Sequence, residues 1–155
     1  MESEELGKLK ERIKELETEN ARLKETEKKY SDLFEKAPVG IFRTNSDGKP
    51  LMLNGTMAHI LGCQTPDEVI EYYDPLGERL YVDPRKRQEF LQIIKKQGWV
   101  NNFEYEAKRK DGKHIWLSMT ARVSSEEDDN DFVIDGFTSD ITDRKETEIE
   151  LERRE

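Results

Sequence analysis

Leu6, Leu9, Ile13, Leu16, Asn20, Leu23, Tyr30 and Phe34 follow one another in alternating steps of three and four residues, with Glu27 interrupting the series. In heptad terms Leu6, Ile13, Asn20, Glu27 and Phe34 take the a position, and Leu9, Leu16, Leu23 and Tyr30 take d. A seam only two residues wide per heptad is too narrow for burial in a globular core and suits a coiled coil. Residues 8–36 contain neither proline nor glycine, and Ala, Leu, Lys, Glu and Arg dominate them, as a long helix needs. In a parallel, in-register pair, each g side chain faces the e position five residues later on the other strand. Those pairs are Glu5 with Lys10, Arg12 with Glu17 and Glu19 with Lys24, and all three attract. Asn20 at an a position is a further device for an in-register, two-stranded arrangement. The expected partner is therefore a second copy, in a parallel homodimer with Leu6, Leu9, Ile13, Leu16, Asn20, Leu23 and Tyr30 as its seam. The plainer alternative is one solvated helix whose charges pair along its own length.

Composition separates this arm from the remainder of the chain. Residues 1–36 carry 20 charged side chains, residues 37–142 carry 31, and residues 143–155 carry 10. The middle is close to an ordinary globular composition, between two very polar arms. The expected organisation is a dimerisation helix at 1–36, a domain at 37–142 and the start of an output helix at 143–155. Each part is net negative and the whole chain is −9, which argues against a nucleic-acid partner. No apolar run approaches the roughly 18 residues of a membrane span, so no direct membrane insertion is expected. A single cysteine, Cys63, and the lack of a secretory signal point to a reducing, cytoplasmic setting.

Turn signals partition the middle. Pro38-Val39-Gly40 ends the first helix. Ile41–Thr44 and Leu51–Leu53 read as strands around the turn Asn45-Ser46-Asp47-Gly48, so residues 40–54 form a hairpin. A short helix at about Thr56–Leu61 stops at Gly62. Thr65-Pro66 and Asp83-Pro84 each place a capping residue before a first-turn proline and so open helices, the second running to Gly98. Three strands follow, at about Asn101–Lys108, His114–Val123 and Phe132–Thr138. Asp111-Gly112 is a tight turn, and Ser124–Asp131 is expected to be an acidic loop. Two strands, short helices, then three strands predict an α+β fold: a five-stranded antiparallel sheet with helices on one face.

At this spacing the pieces resemble the PAS domains of bacterial and archaeal sensor proteins. They are Ala37-Pro38-Val39-Gly40-Ile41-Phe42, Asn45-Ser46-Asp47-Gly48, Leu53-Asn54, Ile60-Leu61-Gly62 and Val82-Asp83-Pro84. Phe103-Glu104-Tyr105, Arg109-Lys110-Asp111-Gly112 with Trp116, and Asp140-Ile141-Thr142-Asp143-Arg144-Lys145 complete the series. The resemblance covers about residues 30–146. It departs from the family at Asp83, where many relatives carry histidine, and at Cys63, where many carry tyrosine. It implies a sensory module without catalysis, passing its signal through flanking helices to the output domain of a parent chain. A sensor histidine kinase of a two-component system or a diguanylate cyclase is the expected parent. Asp140, Ile141, Thr142 and Arg144 are the expected exit of that signal. The alternative is a receptor domain holding a flavin, a haem or an apolar ligand between sheet and helices.

The residues weigh against the first two ligands. Haem needs an axial ligand, and the helix opening at Asp83 contains no histidine, while His59 and His114 read as surface residues. Covalent flavin photochemistry needs a reactive cysteine after the second short helix, and Glu71–Tyr81 has none, so Cys63 reads as a small, partly buried apolar residue. No cofactor is expected. Neither histidine stands in a recognisable nucleophilic constellation, and the acidic run lacks the spacing of a calcium loop, so neither catalytic nor metal-binding residues are assigned. Met57, Ile60, Phe90, Leu91, Ile94, Leu117 and Met119 remain as candidate lining for a small apolar ligand. The simpler reading, that they only pack against one another, is preferred for a domain of about a hundred residues.

Overall fold

The heptad segment forms one unbroken helix, α1 (Glu2–Glu35), in the computed structural model. The structure describes residues 1–128 and 130–154. The chain divides into two compact units, Met1–Glu35 and Lys36–Glu155. Within its own unit, α1 buries no side chain, and Arg12 and Glu19 pair along the helix with Glu15 and Arg22 at 3.2 and 2.7 Å.

In the second unit the order is β1 (Gly40–Asn45), β2 (Pro50–Leu53), α2 (Gly55–Ile60), α3 (Pro66–Tyr72), α4 (Leu76–Arg79) and α5 (Pro84–Gln97). β3 (Trp99–Lys108), β4 (His114–Asp128), β5 (Asp131–Asp140) and α6 (Thr142–Arg154) follow. The five strands pair antiparallel in the order β2-β1-β5-β4-β3. This is the expected α+β architecture, with the last strand in the middle of the sheet.

One face of the sheet carries the core. Phe42 on β1, Tyr105 and Ala107 on β3, Leu117, Met119 and Ala121 on β4, and Ile134 on β5 alternate with more exposed neighbours. The helices cover this face. On α5, Arg87, Phe90 and Ile94 lie at i, i+3 and i+7, one stripe of a helix, and all three are buried. Each large apolar side chain so covered contributes about 1.5–3 kcal/mol relative to exposure.

The turn chemistry behaves as its residues demand. Thr65 and Asp83 cap α3 and α5, accepting the amides of Glu68 and Arg85. Gly98 ends α5 at φ +82°, a left-handed backbone that a side chain would strain. Gly136 is needed for a different reason. A Cβ there would lie 2.6 Å from both the Thr120 carbonyl and Phe42 Cζ, so only glycine lets β5 sit between β1 and β4.

Two boundaries differ from expectation. β3 starts at Trp99, before a register shift between Val100 and Phe103. Asn102 absorbs the shift at φ +52° and donates its amide to Thr120 Oγ1 at 3.1 Å, a conformation asparagine tolerates. The acidic stretch is not a loop from Ser124 onward. β4 continues to Asp128 and pairs Ser125 with Val133, Glu126 with Phe132 and Asp128 with Asp131. Backbone pairing holds these residues while their exposed carboxylates stay in water; Asp129 lies outside the described residues.

Asn54 joins the first hairpin to the helices. Fully buried, its Oδ1 accepts the amides of Ile41 at 3.0 Å and Met57 at 2.9 Å, while its Nδ2 donates to the Val39 carbonyl at 3.1 Å. It is both the cap of α2 and a clamp on the start of β1. Asn54→Ala removes the cap and leaves a strand amide unanswered, so unfolding free energy should fall by about 3 kcal/mol. A urea unfolding series checks this; a loss under about 1 kcal/mol would mean that other groups or water replace the amide.

Candidate functional site

Between the inner face of the sheet and the short helices lies a small, partly open cavity of about 30 Å3. A site of this measure holds on the order of two water-sized groups. Phe42, Thr44, Met119 and Thr138 line it from the sheet, Met57 and Leu61 from α2 and its end, and Arg87 and Phe90 from α5. Tyr81 and Tyr105 complete one wall, with ring centroids 4.7 Å apart. Burial raises the pKa of both phenols, most strongly Tyr105, so they present neutral hydroxyls at physiological pH.

Of the seven candidate lining residues, Met57, Phe90 and Met119 do line this cavity. Ile94 and Leu117 are buried in the surrounding core, and Ile60 and Leu91 pack partly buried against it. Sequence reading missed Arg87, Thr44 and Thr138, the polar members of the wall. Arg87 was legible in principle, because it continues the Phe90–Ile94 stripe one turn earlier. Thr138 was legible from its alternation with Ile134 across Gly136.

The cavity does not fit a haem or a flavin. Its volume is a small fraction of either ring system, and no histidine or cysteine belongs to its wall. His59 is exposed on α2, and His114 is exposed with Nδ1 3.1 Å from Glu106 Oε1. Cys63 is fully buried beyond α2, and burial raises its thiol pKa, which leaves it little thiolate character. Among the described residues no group of three His, Cys, Asp or Glu side chains could hold a metal ion. No helix among them is long and apolar enough to cross a membrane.

The second feature is the end of the central strand. Asp140 Oδ1 accepts the Thr142 amide at 3.0 Å and also the Thr142 hydroxyl hydrogen. Thr142 Oγ1 in turn accepts the Trp116 amide at 3.0 Å, and the Ile141 amide donates to the Trp116 carbonyl at 2.9 Å. The expected cap at Asp140 is thus real, and Thr142 ties the first turn of α6 to β4. Arg144 and Lys145 both reach Glu104 on β3, at 2.8 Å each, and Lys145 Nζ lies 5.1 Å from the Trp116 ring centroid. Asp140, Ile141, Thr142 and Arg144 therefore converge on β3 and β4. Glu104 was missed, because it stands 40 residues from Arg144 and no local pattern links them.

On the described seam residues of α1, Leu6, Leu9, Ile13, Leu16, Leu23 and Tyr30 are each at least 45% exposed within the chain, and Asn20 is exposed with them.

A five-stranded antiparallel sheet of this order, with short helices over an interior cavity and a helix leaving the central strand, defines a small sensory α+β domain. The family model described as a PAS domain matches residues 38–143, and the chain belongs to that family. No curated protein matches the chain. Among solved structures, the PAS domain of an HTR-like protein from Haloarcula marismortui is similar, with 22% identity, 81% of this chain and 99% of that one covered, and a TM-score of 0.61. A sensory box histidine kinase/response regulator from Burkholderia thailandensis is similar at 19% identity, covering 81% and 93% with a TM-score of 0.59. The PAS domain of a LuxR-family transcriptional regulator from the same organism, in complex with ethanol, is similar at 19% identity, covering 72% and 96% with a TM-score of 0.56.

Hydrogen bonds from Lys145 and then Arg144 hold the Glu104 carboxyl below its ordinary value of 4.5. The unfolded chain therefore takes up this proton first as pH falls. The stabilisation is complete above pH 4.5 and is lost as the pH drops through the lower, folded-state value. Glu104→Gln should lower the urea midpoint at pH 7, and the curves of variant and parent should converge below that range. Curves that stay apart in acid would show that Glu104 acts through something other than its charge.

Proposed function

We propose that this chain is a dimeric, cytoplasmic signal-transmission module of a longer sensor, such as a histidine kinase or a diguanylate cyclase. It relays a change through its flanking helices and performs no chemistry itself. The observation that carries this reading is the α1 stripe, an apolar seam broken at a positions only by Asn20 and Glu27, with attractive g–e charges. Two copies pairing in parallel bury that stripe and place two sensory domains side by side. On the output side, α6 is anchored at its first turn by Asp140, Thr142 and Glu104, and beyond that turn it buries no side chain. Movement of β3 or β4 therefore reaches the helix through specific bonds.

A second reading, a receptor for a small molecule, is supported by the cavity beside Met57, Phe90 and Met119. The similar LuxR-family domain is in complex with ethanol, a small ligand. The two readings are compatible, since an occupant of the cavity touches β5 directly above the exit.

Ile13→Lys with Leu16→Lys should convert the dimer to monomer in sedimentation equilibrium while the circular dichroism of the PAS domain persists, because neither side chain belongs to its core. An unchanged dimer would assign association to the domain instead. With an output domain attached, Asp140→Ala should cost about 0.5–2 kcal/mol through the lost cap and also uncouple output from signal. A destabilised variant whose output still responds would reduce Asp140 to a cap.

A further inference from the structure

The features that favour pairing along the α1 seam stop partway along the helix. From Leu6 to Leu23 the a and d positions are apolar except for Asn20, and the three attractive g–e pairs lie between Glu5 and Lys24. The next g and e positions to face each other are Thr26 and Ser31, which carry no charge, and the a position between them is Glu27. The helix itself does not change there, since α1 runs unbroken from Glu2 to Glu35. Helix therefore persists across a stretch in which the reasons for pairing are lost.

Glu27 is exposed in the single chain, and the ion pairs along α1, Arg12 with Glu15 and Arg22 with Glu19, do not include it. In a parallel, in-register dimer it packs into the space formed by the second copy's Leu23, Thr26, Glu27 and Tyr30. Along its own helix the neighbours one turn away are Leu23, Lys24, Tyr30 and Ser31, and Lys28 follows it directly. The titratable groups around this layer are thus the two carboxylates, the Tyr30 phenols and the Lys24 and Lys28 ammonium groups. Lys24, at e, faces the second copy's Glu19, and Lys28 takes the outward b position, so neither answers Glu27 across the seam. Closing the layer brings two like charges together and takes them out of water, and both effects oppose association.

We infer that Glu27 is a releasable joint in the dimer helix: the copies stay zipped from Leu6 to Leu23, while the facing Glu27 carboxylates hold residues 24–35 apart at neutral pH and let them close when one carboxylate takes up a proton. Resting on the homodimer reading above, the joint adds regulation to it. It lies in the stretch of α1 that runs into the domain at Lys36, so the two domains can change their separation while the chains stay paired.

The test uses the full chain with Glu27→Gln and Glu27→Leu, both of which keep a good helix former at this position. In sedimentation equilibrium at about pH 7.5, the Leu variant should associate about a hundredfold more tightly than the parent, since two seam side chains change from charged to apolar. The Gln variant should associate about threefold more tightly or better. The closed dimer holds a proton that separated chains release, so acid favours association. At about pH 5.5, above the range in which Glu104 loses its stabilising charge, the parent should gain about threefold or more on the Gln variant. The comparison is made between variants because His59 and His114 titrate, and the repulsion of chains at −9 eases in acid, in all of them alike.

Cysteine trapping localises the effect. At one pH, about 7.5, Leu16→Cys should cross-link to itself readily whether or not position 27 is changed. Tyr30→Cys should cross-link slowly and accelerate about tenfold when combined with Glu27→Leu. Equal affinities and equal pH responses of parent and Gln variant, or trapping at position 30 that ignores Glu27→Leu, would overturn the inference. Trapping at position 16 with no influence of Glu27 removes only the joint, whereas no trapping at position 16 removes the homodimer reading and the joint with it.

Discussion

β5 lies at the centre of the sheet although it is the last strand of the chain, so within the sheet the two outer strand pairs are joined only through it. β1 and β2 stand on one side of it and β4 and β3 on the other. The close approach at Gly136 is the steric condition for that insertion, since any side chain there meets the Thr120 carbonyl and the Phe42 ring. Long-range antiparallel pairing of this kind closes late in folding, because it joins residues about ninety positions apart. The same topology makes α6 the continuation of the strand that pairs with both sides of the sheet. Asp140 and Thr142 sit where that strand ends, and Thr138 faces the interior two residues earlier.

What the sequence made legible was local. Thr65 and Asp83 announced helix starts because a capping side chain and a following proline act within one turn, and Gly98 announced a stop because of its backbone freedom. The sheet followed from the alternation along residues 115–121, and the exit cap from Asp140 and Thr142. What escaped was non-local or ran against polarity. The register shift at Asn102 answers to Thr120 on the next strand, which no reading of Trp99–Phe103 reveals. The acidic arm pairs as strand because its backbone bonds are indifferent to carboxylates that stay in water. Glu104 becomes meaningful only when folding brings Arg144 and Lys145 to it. Arg87 was passed over because a charged residue on a helix normally marks the solvent side. Of the candidate lining, Met57, Phe90 and Met119 proved to be wall, while Ile94 and Leu117 serve the surrounding core.

The domain thus combines an apolar interior with four buried polar side chains among the described residues, Thr44, Asn54, Arg87 and Thr138, and a polar end to its central strand. Asn54 is fully answered and fixes the hairpin against α2. Arg87 shares a hydrogen bond with Tyr81, whereas the Thr138 hydroxyl has no partner among the described residues, and both side chains line the interior cavity. At the other end of β5, Asp140 and Thr142 are hydrogen-bonded, and Arg144 and Lys145 are paired with Glu104. The proposed transmission role calls for a second copy of the chain, since a single α6 moving in solvent has nothing to push against.

Parallel, in-register pairing of α1 is therefore the claim to test most directly, and disulfide trapping reads it without an output domain. Leu9→Cys and Leu23→Cys, made separately, place a thiol at two seam positions about 21 Å apart along the helix, while the native Cys63 stays buried. In a parallel, in-register dimer each position meets its own copy within the roughly 7 Å that a disulfide spans. Both variants should cross-link to themselves under mild oxidation, and an equivalent cysteine at the outward Lys14 should not. An antiparallel or staggered pair cannot satisfy both positions at once. Self-cross-linking at neither, or linkage only when the Leu9→Cys and Leu23→Cys chains are mixed, would contradict the account.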